Sequence, residues 1–204
     1  MRYLEKCEQI VRAQWFPDHV AKSIPQGSPA GVEVIRWKKP DTGIYSITYT
    51  LHGYHLYVVG DVGAAVYRFG QPMELANFTD MYPDYFASKC VASEHGIGYE
   101  SWNNDEAKKY LEEWAASGDD KIECDERYTM LEGRNESYTS NAFDSIGTRG
   151  DWQEWLQHDG DEVFGDSWFD LGEIGMVVDI RCVGHLVGLK MAHAQLTAEL
   201  VKAD

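Results

Sequence analysis

Four groups of side chains in this chain have types and spacings that could do chemistry, and each implies a different reaction. Gly60-Asp61-Val62-Gly63 sets one carboxylate between glycines, as in a turn that holds a phosphate or a metal, and His52 and His55 bracket a turn just upstream. Cys90, Glu94 and His95 offer the parts of a thiol–imidazole pair. His185 and His193 are the remaining close histidines. Carboxylates gathered in two clusters form the fourth group.

Each of the first three has a plainer reading. A lone Asp between glycines is also the recipe for a hairpin, and neither a Gly-Lys-Ser/Thr run nor a second acid follows closely. Two histidines without a third ligand make an incomplete metal site, so His52 and His55 read as turn residues. Positions five apart on a helix point about 140° away from each other, so Cys90 and His95 cannot share a proton there. Cys90 instead falls in an apolar stripe. His185 and His193 are eight apart, about 80° off a common helix face. The sequence carries no GxSxG, kinase, deaminase or Rossmann signature, although a triad of distant residues stays open. No catalytic residue, metal or cofactor is assigned.

The carboxylates are better populated. Asp119, Asp120, Glu123, Asp125 and Glu126 form one cluster. Asp159, Asp161, Glu162, Asp166 and Asp170 form a second, interleaved with Trp155, Phe164, Trp168 and Phe169. Acids supply steering and aromatics supply contact area, so this is the composition of a protein-binding face. Asp159-Gly160-Asp161-Glu162 lacks the twelve-residue calcium-loop pattern.

The charge distribution points the same way. The 204 residues carry a net charge of −16. Residues 1–97 hold 10 acids and 9 bases, residues 180–204 hold 2 and 3, and residues 98–179 hold 22 and 6. The whole excess therefore sits in one segment, either as a solubilising surface or as a face for a basic partner. Such a surface repels duplex phosphates unless a basic patch is hidden by folding. The N-terminal stretch lacks a signal peptide's apolar centre, and the apolar run at 183–189 is too short to span a bilayer. Cys7, Cys90, Cys124 and Cys182 are widely spaced and read as reduced thiols. The expectation is a cytoplasmic protein with no membrane partner.

The elements that must position these groups follow from periodicity. Tyr45, Ile47, Tyr49 and Leu51 alternate with small hydroxylated residues, the period of a half-buried strand. His52-Gly53 and Gly60 to Gly63 break the pattern, and it restarts at Tyr54 and at Ala64. With Val32 to Trp37 this predicts a four-stranded antiparallel meander over about 31–69. Helices are predicted over 3–16, from Pro83 to Gly96, from Asn103 to Gly118, from Asp151, and over 181–201, with a short strand at 175–180. A further short strand is expected near Arg127 to Leu131. Gly184 and Gly188 would let the last helix approach its neighbours closely. The expected fold is a single α+β domain over 1–204, its helices on one face of the sheet, with a less regular acidic segment at about 119–170.

Together, WKKPDTGIYSITYTLHGYHLYVVGDVGAAVYRF (37–69), DYFASKCVASEHG (84–96), WNNDEAKKYLEEW (102–114) and GLKMAHAQL (188–196) resemble an uncharacterised family of small proteins of tailed phages and prophages. The resemblance implies phage origin and action inside a bacterial host, and it transfers no catalytic residues. With the localised charge, it leads to an expected function. That function is inhibition or modulation of a bacterial defence or nucleic-acid-handling protein, of anti-CRISPR or anti-restriction type, by mimicking nucleic-acid charge. The partner would be a host protein with a basic surface, with no direct nucleic acid; a homodimer is open. One alternative is a small enzyme acting on a nucleotide or other small ligand, with Asp61 and His52 or His55. The other is a virion structural or assembly protein.

Overall fold

The structure, a computed structural model, describes residues 3–24, 31–94, 100–109, 147–164 and 175–203. The chain divides into two compact units, one of residues 1–100 with 178–204 and one of residues 101–177.

The first unit is built on a six-stranded antiparallel sheet in strict sequential order. Its strands are β1 (Val20–Ile24), β2 (Val32–Lys38), β3 (Ile47–His52), β4 (His55–Gly60), β5 (Ala65–Arg68) and β6 (Cys90–Ser93). The expected meander is β2 to β5, and the structure adds a strand at each edge. Alternation decides which face is buried. Ile35, Trp37, Ile47, Tyr49, Leu51, Leu56, Val58 and Tyr67 point inward and are almost wholly buried. Helix α1 (Tyr3–Ile10), a single π-turn (Val11–Trp15), a 3₁₀ turn (Leu75–Phe78) and α2 (Pro83–Ala87) surround a long C-terminal helix (Ile180–Ala203). That helix lies on the inward face: the Tyr49 hydroxyl donates to the His185 carbonyl at 3.0 Å, and Gly184 and Gly188 sit against Trp15, Val62, Trp37 and Tyr49.

Residues 83–94 depart from expectation, and residues 95–96 lie outside the described residues. Phe86, Cys90 and Val91 have helical spacing, yet the helix stops at Ala87 and Cys90–Ser93 is a strand. The open edge of β5 accounts for this, because an unpaired edge offers backbone partners that a short isolated helix cannot match. The Arg68 N–H donates to the Lys89 carbonyl at 2.9 Å, and the ladder continues with a bulge opposite Val66 and Tyr67. Cys90 is therefore a buried strand residue.

Strands β7 (Glu100–Trp102) and β8 (Met176–Val178), which pair with each other, lie mostly in the second unit. Asn103 caps a helix that starts at 104, its side chain accepting the Glu106 N–H at 3.1 Å. The helix Arg149–Phe164 has a reciprocal cap: the Thr148 N–H donates to the Asp151 carboxylate at 2.8 Å and the Asp151 N–H to the Thr148 hydroxyl at 3.2 Å. The Thr148 hydroxyl, and then the Gly147 and Thr148 N–H groups, hold the Asp151 carboxyl below its usual range. Trp152 is buried, with Trp155 stacked on it at 5.3 Å. No described helix is long and apolar enough to cross a membrane.

Candidate functional site

The Gly-Asp-Val-Gly turn has a structural duty. The Asp61 carboxylate accepts the Tyr45 N–H at 2.7 Å, and the Asp61 N–H donates to the Ser46 carbonyl at 2.8 Å. Tyr45 is thereby held at φ 55, a conformation that costs a bulky residue about 1–3 kcal/mol, with its ring stacked on Trp15 at 5.0 Å. Gly60 has φ 153, and a Cβ there would overlap the Ser46 carbonyl oxygen. The motif clasps the loop before β3 to the turn after β4. His52 and His55 face each other across the hairpin, with His55 stacked on Tyr57 at 6.0 Å. Among the described residues no group of three His, Cys, Asp or Glu could hold a metal ion.

A second cluster lies in the core. The Tyr67 hydroxyl meets His185 Nδ1 at 2.9 Å and Cys182 Sγ at 3.6 Å. Burial pushes the His185 imidazole down to about 3, against the pull of the Val62 backbone, and pushes the Cys182 thiol up to about 12. A neutral thiol sealed at 0 % exposure is no nucleophile, so these groups form a polar ladder inside the core. His19 is also buried, its Nε2 donating to the Tyr45 carbonyl at 3.2 Å and its ring packed on Phe16 and Trp37.

A groove of about 510 Å³ lies in the first unit. Leu51, Met73, Leu75, Leu196 and Leu200 give it apolar walls, Glu33 and Glu74 bring carboxylates to it, and His193 adds an imidazole. Glu33 is the first inward-facing residue of β2, and Ile35 and Trp37 continue the alternation, so the strand carries a carboxylate into half-buried ground. Glu74 precedes the 3₁₀ turn, which Asn77 fixes by accepting the Glu74 N–H at 2.7 Å. His193 bonds through its two ring nitrogens to the hydroxyls of Thr79 at 3.3 Å and Thr197 at 3.4 Å.

Burial, and then the charge of Glu74, push the Glu33 carboxyl up, while His193 pulls it down. Neither glutamate forms an ion pair among the described residues. An apolar slot with two uncompensated carboxylates suits a cationic group carried on an aliphatic stem. A carboxylate with a raised folded pKa opposes folding when ionised, and the opposition fades as pH falls through that pKa. Glu33→Gln is therefore expected to raise stability at pH 7 by up to ~0.5 kcal/mol and to give no gain near pH 4. Urea midpoints at the two pH values check this, and a less stable variant at pH 7 would contradict the uncompensated charge.

Of the residues expected to bind a partner, Asp119, Asp120, Glu123, Asp125, Glu126, Asp166, Trp168 and Asp170 lie outside the described residues, as does the strand expected near Arg127 to Leu131. Asp159, Asp161 and Glu162 fall in the last turns of the helix Arg149–Phe164. Trp155 is on the same helix, partly buried against Trp152. Sequence reading passed over Glu33, although an acid in the inward set Glu33, Ile35, Trp37 was a visible signal. No protein-family model, curated protein or solved structure matches the chain.

Proposed function

We propose that the chain is a phage-encoded binding protein that inhibits or modulates a bacterial defence or nucleic-acid-handling protein by occupying its basic surface. The observation that carries this reading is the confinement of the acid excess to residues 98–179, with 22 acids against 6 bases. A segment of that charge lowers the free energy of a cationic groove over many ångströms and competes with a phosphate backbone for it. The groove of Glu33 and Glu74 adds a place where one lysine or arginine of such a partner can seat its stem against leucines and its charge between carboxylates.

The test uses host proteins that bind heparin, which are basic by selection. The tagged chain is expected to retain some of them at 50 mM salt and to release them by about 0.5 M, where the screening length has shrunk to a few ångströms. Replacing Asp119, Asp120, Glu123, Asp125 and Glu126 by their amides, together with Asp159, Asp161, Glu162, Asp166 and Asp170, should abolish retention. Retention that ignores salt, or that survives those replacements, removes the electrostatic reading.

A further inference from the structure

The outward face of the six-stranded sheet carries the opposite charge to the acidic residues 98–179. Residues paired directly across strands share a face, so the registers place Lys22, Arg36, Thr48 and Val59 in one row and Ile24, Val34, Thr50, Tyr57 and Val66 in the next. A third row holds Val32, His52, His55 and Arg68, and Lys38 lies beyond the first, opposite Val20. Every charged side chain on this face of the strands is basic. The helices of this unit gather on the other face, leaving Tyr57 40 % and Val59 54 % exposed.

Lys22 and Arg36 stand directly opposite each other, a like-charge pairing that destabilises a sheet. Among the described residues neither they nor Lys38 and Arg68 form an ion pair. Four uncompensated cations beside an apolar row, with an aromatic pair from His55 and Tyr57, call for an anionic partner with flat apolar parts.

We infer that this face binds single-stranded nucleic acid. The bases lie on Val34, Thr50, Tyr57 and Val66, and the phosphates run beside Lys22, Arg36 and Lys38, with Arg68 at the far corner. A duplex fits less well, because it would press phosphates onto the apolar row. An acidic polypeptide satisfies the cations but leaves the His55–Tyr57 stack without a planar partner. The six strands span roughly 24 Å, long enough for a few nucleotides.

Fluorescence anisotropy with a labelled oligothymidylate 12-mer tests this on the full chain. Binding is expected in the micromolar range at 50 mM salt, with a log–log salt slope near −3 for four phosphate contacts. Tyr57→Ala should weaken it at least ~fivefold, the loss of one stacked base. Lys22→Gln with Arg36→Gln should flatten the slope by about 1.4 while raising the melting temperature, because the like-charge pairing is relieved. That pairing of weaker binding with higher stability separates a lost site from a damaged fold. The inference is overturned by no anisotropy change at 200 μM protein, by variants that bind as the parent does, or by a polyglutamate peptide that binds as tightly as the oligonucleotide.

Discussion

Gly188→Ala is expected to destabilise the protein by ~2–3 kcal/mol, although alanine is worth about 1 kcal/mol more than glycine inside an ordinary helix. The reversal of sign comes from the approach of the C-terminal helix to the sheet. A Cβ at 188 would land on the Tyr49 hydroxyl and come within 3.2 Å of Trp37 Cδ1. Both rings are at 0 % exposure, and the Tyr49 hydroxyl is tied to the His185 carbonyl at 3.0 Å, so neither can swing away. Only a shift of the helix relieves the overlap, and that shift loosens contacts along its whole length. A thermal melt should show a fall of roughly 5–10 °C for a chain of this size. Gly70→Ala, where an added Cβ meets nothing within 4 Å, should change little and serves as the control. An unaltered melting temperature for Gly188→Ala would mean that the helix does not lie this close.

Acid should weaken the protein through His185. The ring bonds the Tyr67 hydroxyl and lies against the Val62–Gly63 backbone, Asp179 and Arg181 act on it as charges, and burial holds it down to about 3. An unfolded chain's imidazole takes a proton near pH 6.5, so from there down the unfolded state binds the proton that the folded state refuses. Stability is therefore lost as pH falls, at about 1.4 kcal/mol per unit, or ~2 kcal/mol between pH 6.5 and 5 from this one group. His185→Gln keeps an amide within reach of the Tyr67 hydroxyl and removes the titration. Its urea midpoint should lie below the parent's at pH 7, and the gap should narrow by ~2 kcal/mol at pH 5. A gap that stays constant with pH would assign the acid sensitivity to other groups.

The parts of the fold that were legible in the sequence are those fixed by local pattern. The alternation from Tyr45 to Phe69 marks β3 to β5 because one face of those strands is buried and the other is not. The spacing of Val183, Val187 and Met191 marks the last helix for a similar reason. β1 escaped notice because only Ala21 of its five residues is buried, which leaves no period to read. β6 was mistaken for helix because the hydrogen bonds that make it a strand come from β5, some 25 residues earlier.

The same limit applies to the sites. Asp61 looked like a ligand because its true partner, the Tyr45 N–H, is 16 residues away. The groove joins Glu33 to His193 across 160 positions, a proximity that no local spacing encodes. The basic face became visible only once the strand registers set Lys22 beside Arg36.

The first unit is interrupted in the chain, its sheet finished by residue 93 and its covering helix starting only at residue 180. On a ribosome the sheet emerges first, and the residues between, synthesised at 5–20 per second, delay the helix by roughly 4–17 s. For that interval Trp37, Tyr49, Leu56 and Tyr67 have no long helix to lie against. Six sequential strands can pair within milliseconds to seconds, so the nascent chain waits as a sheet with an uncovered greasy side. Its vulnerable moment is thus during synthesis, when a folding chaperone has most to shield.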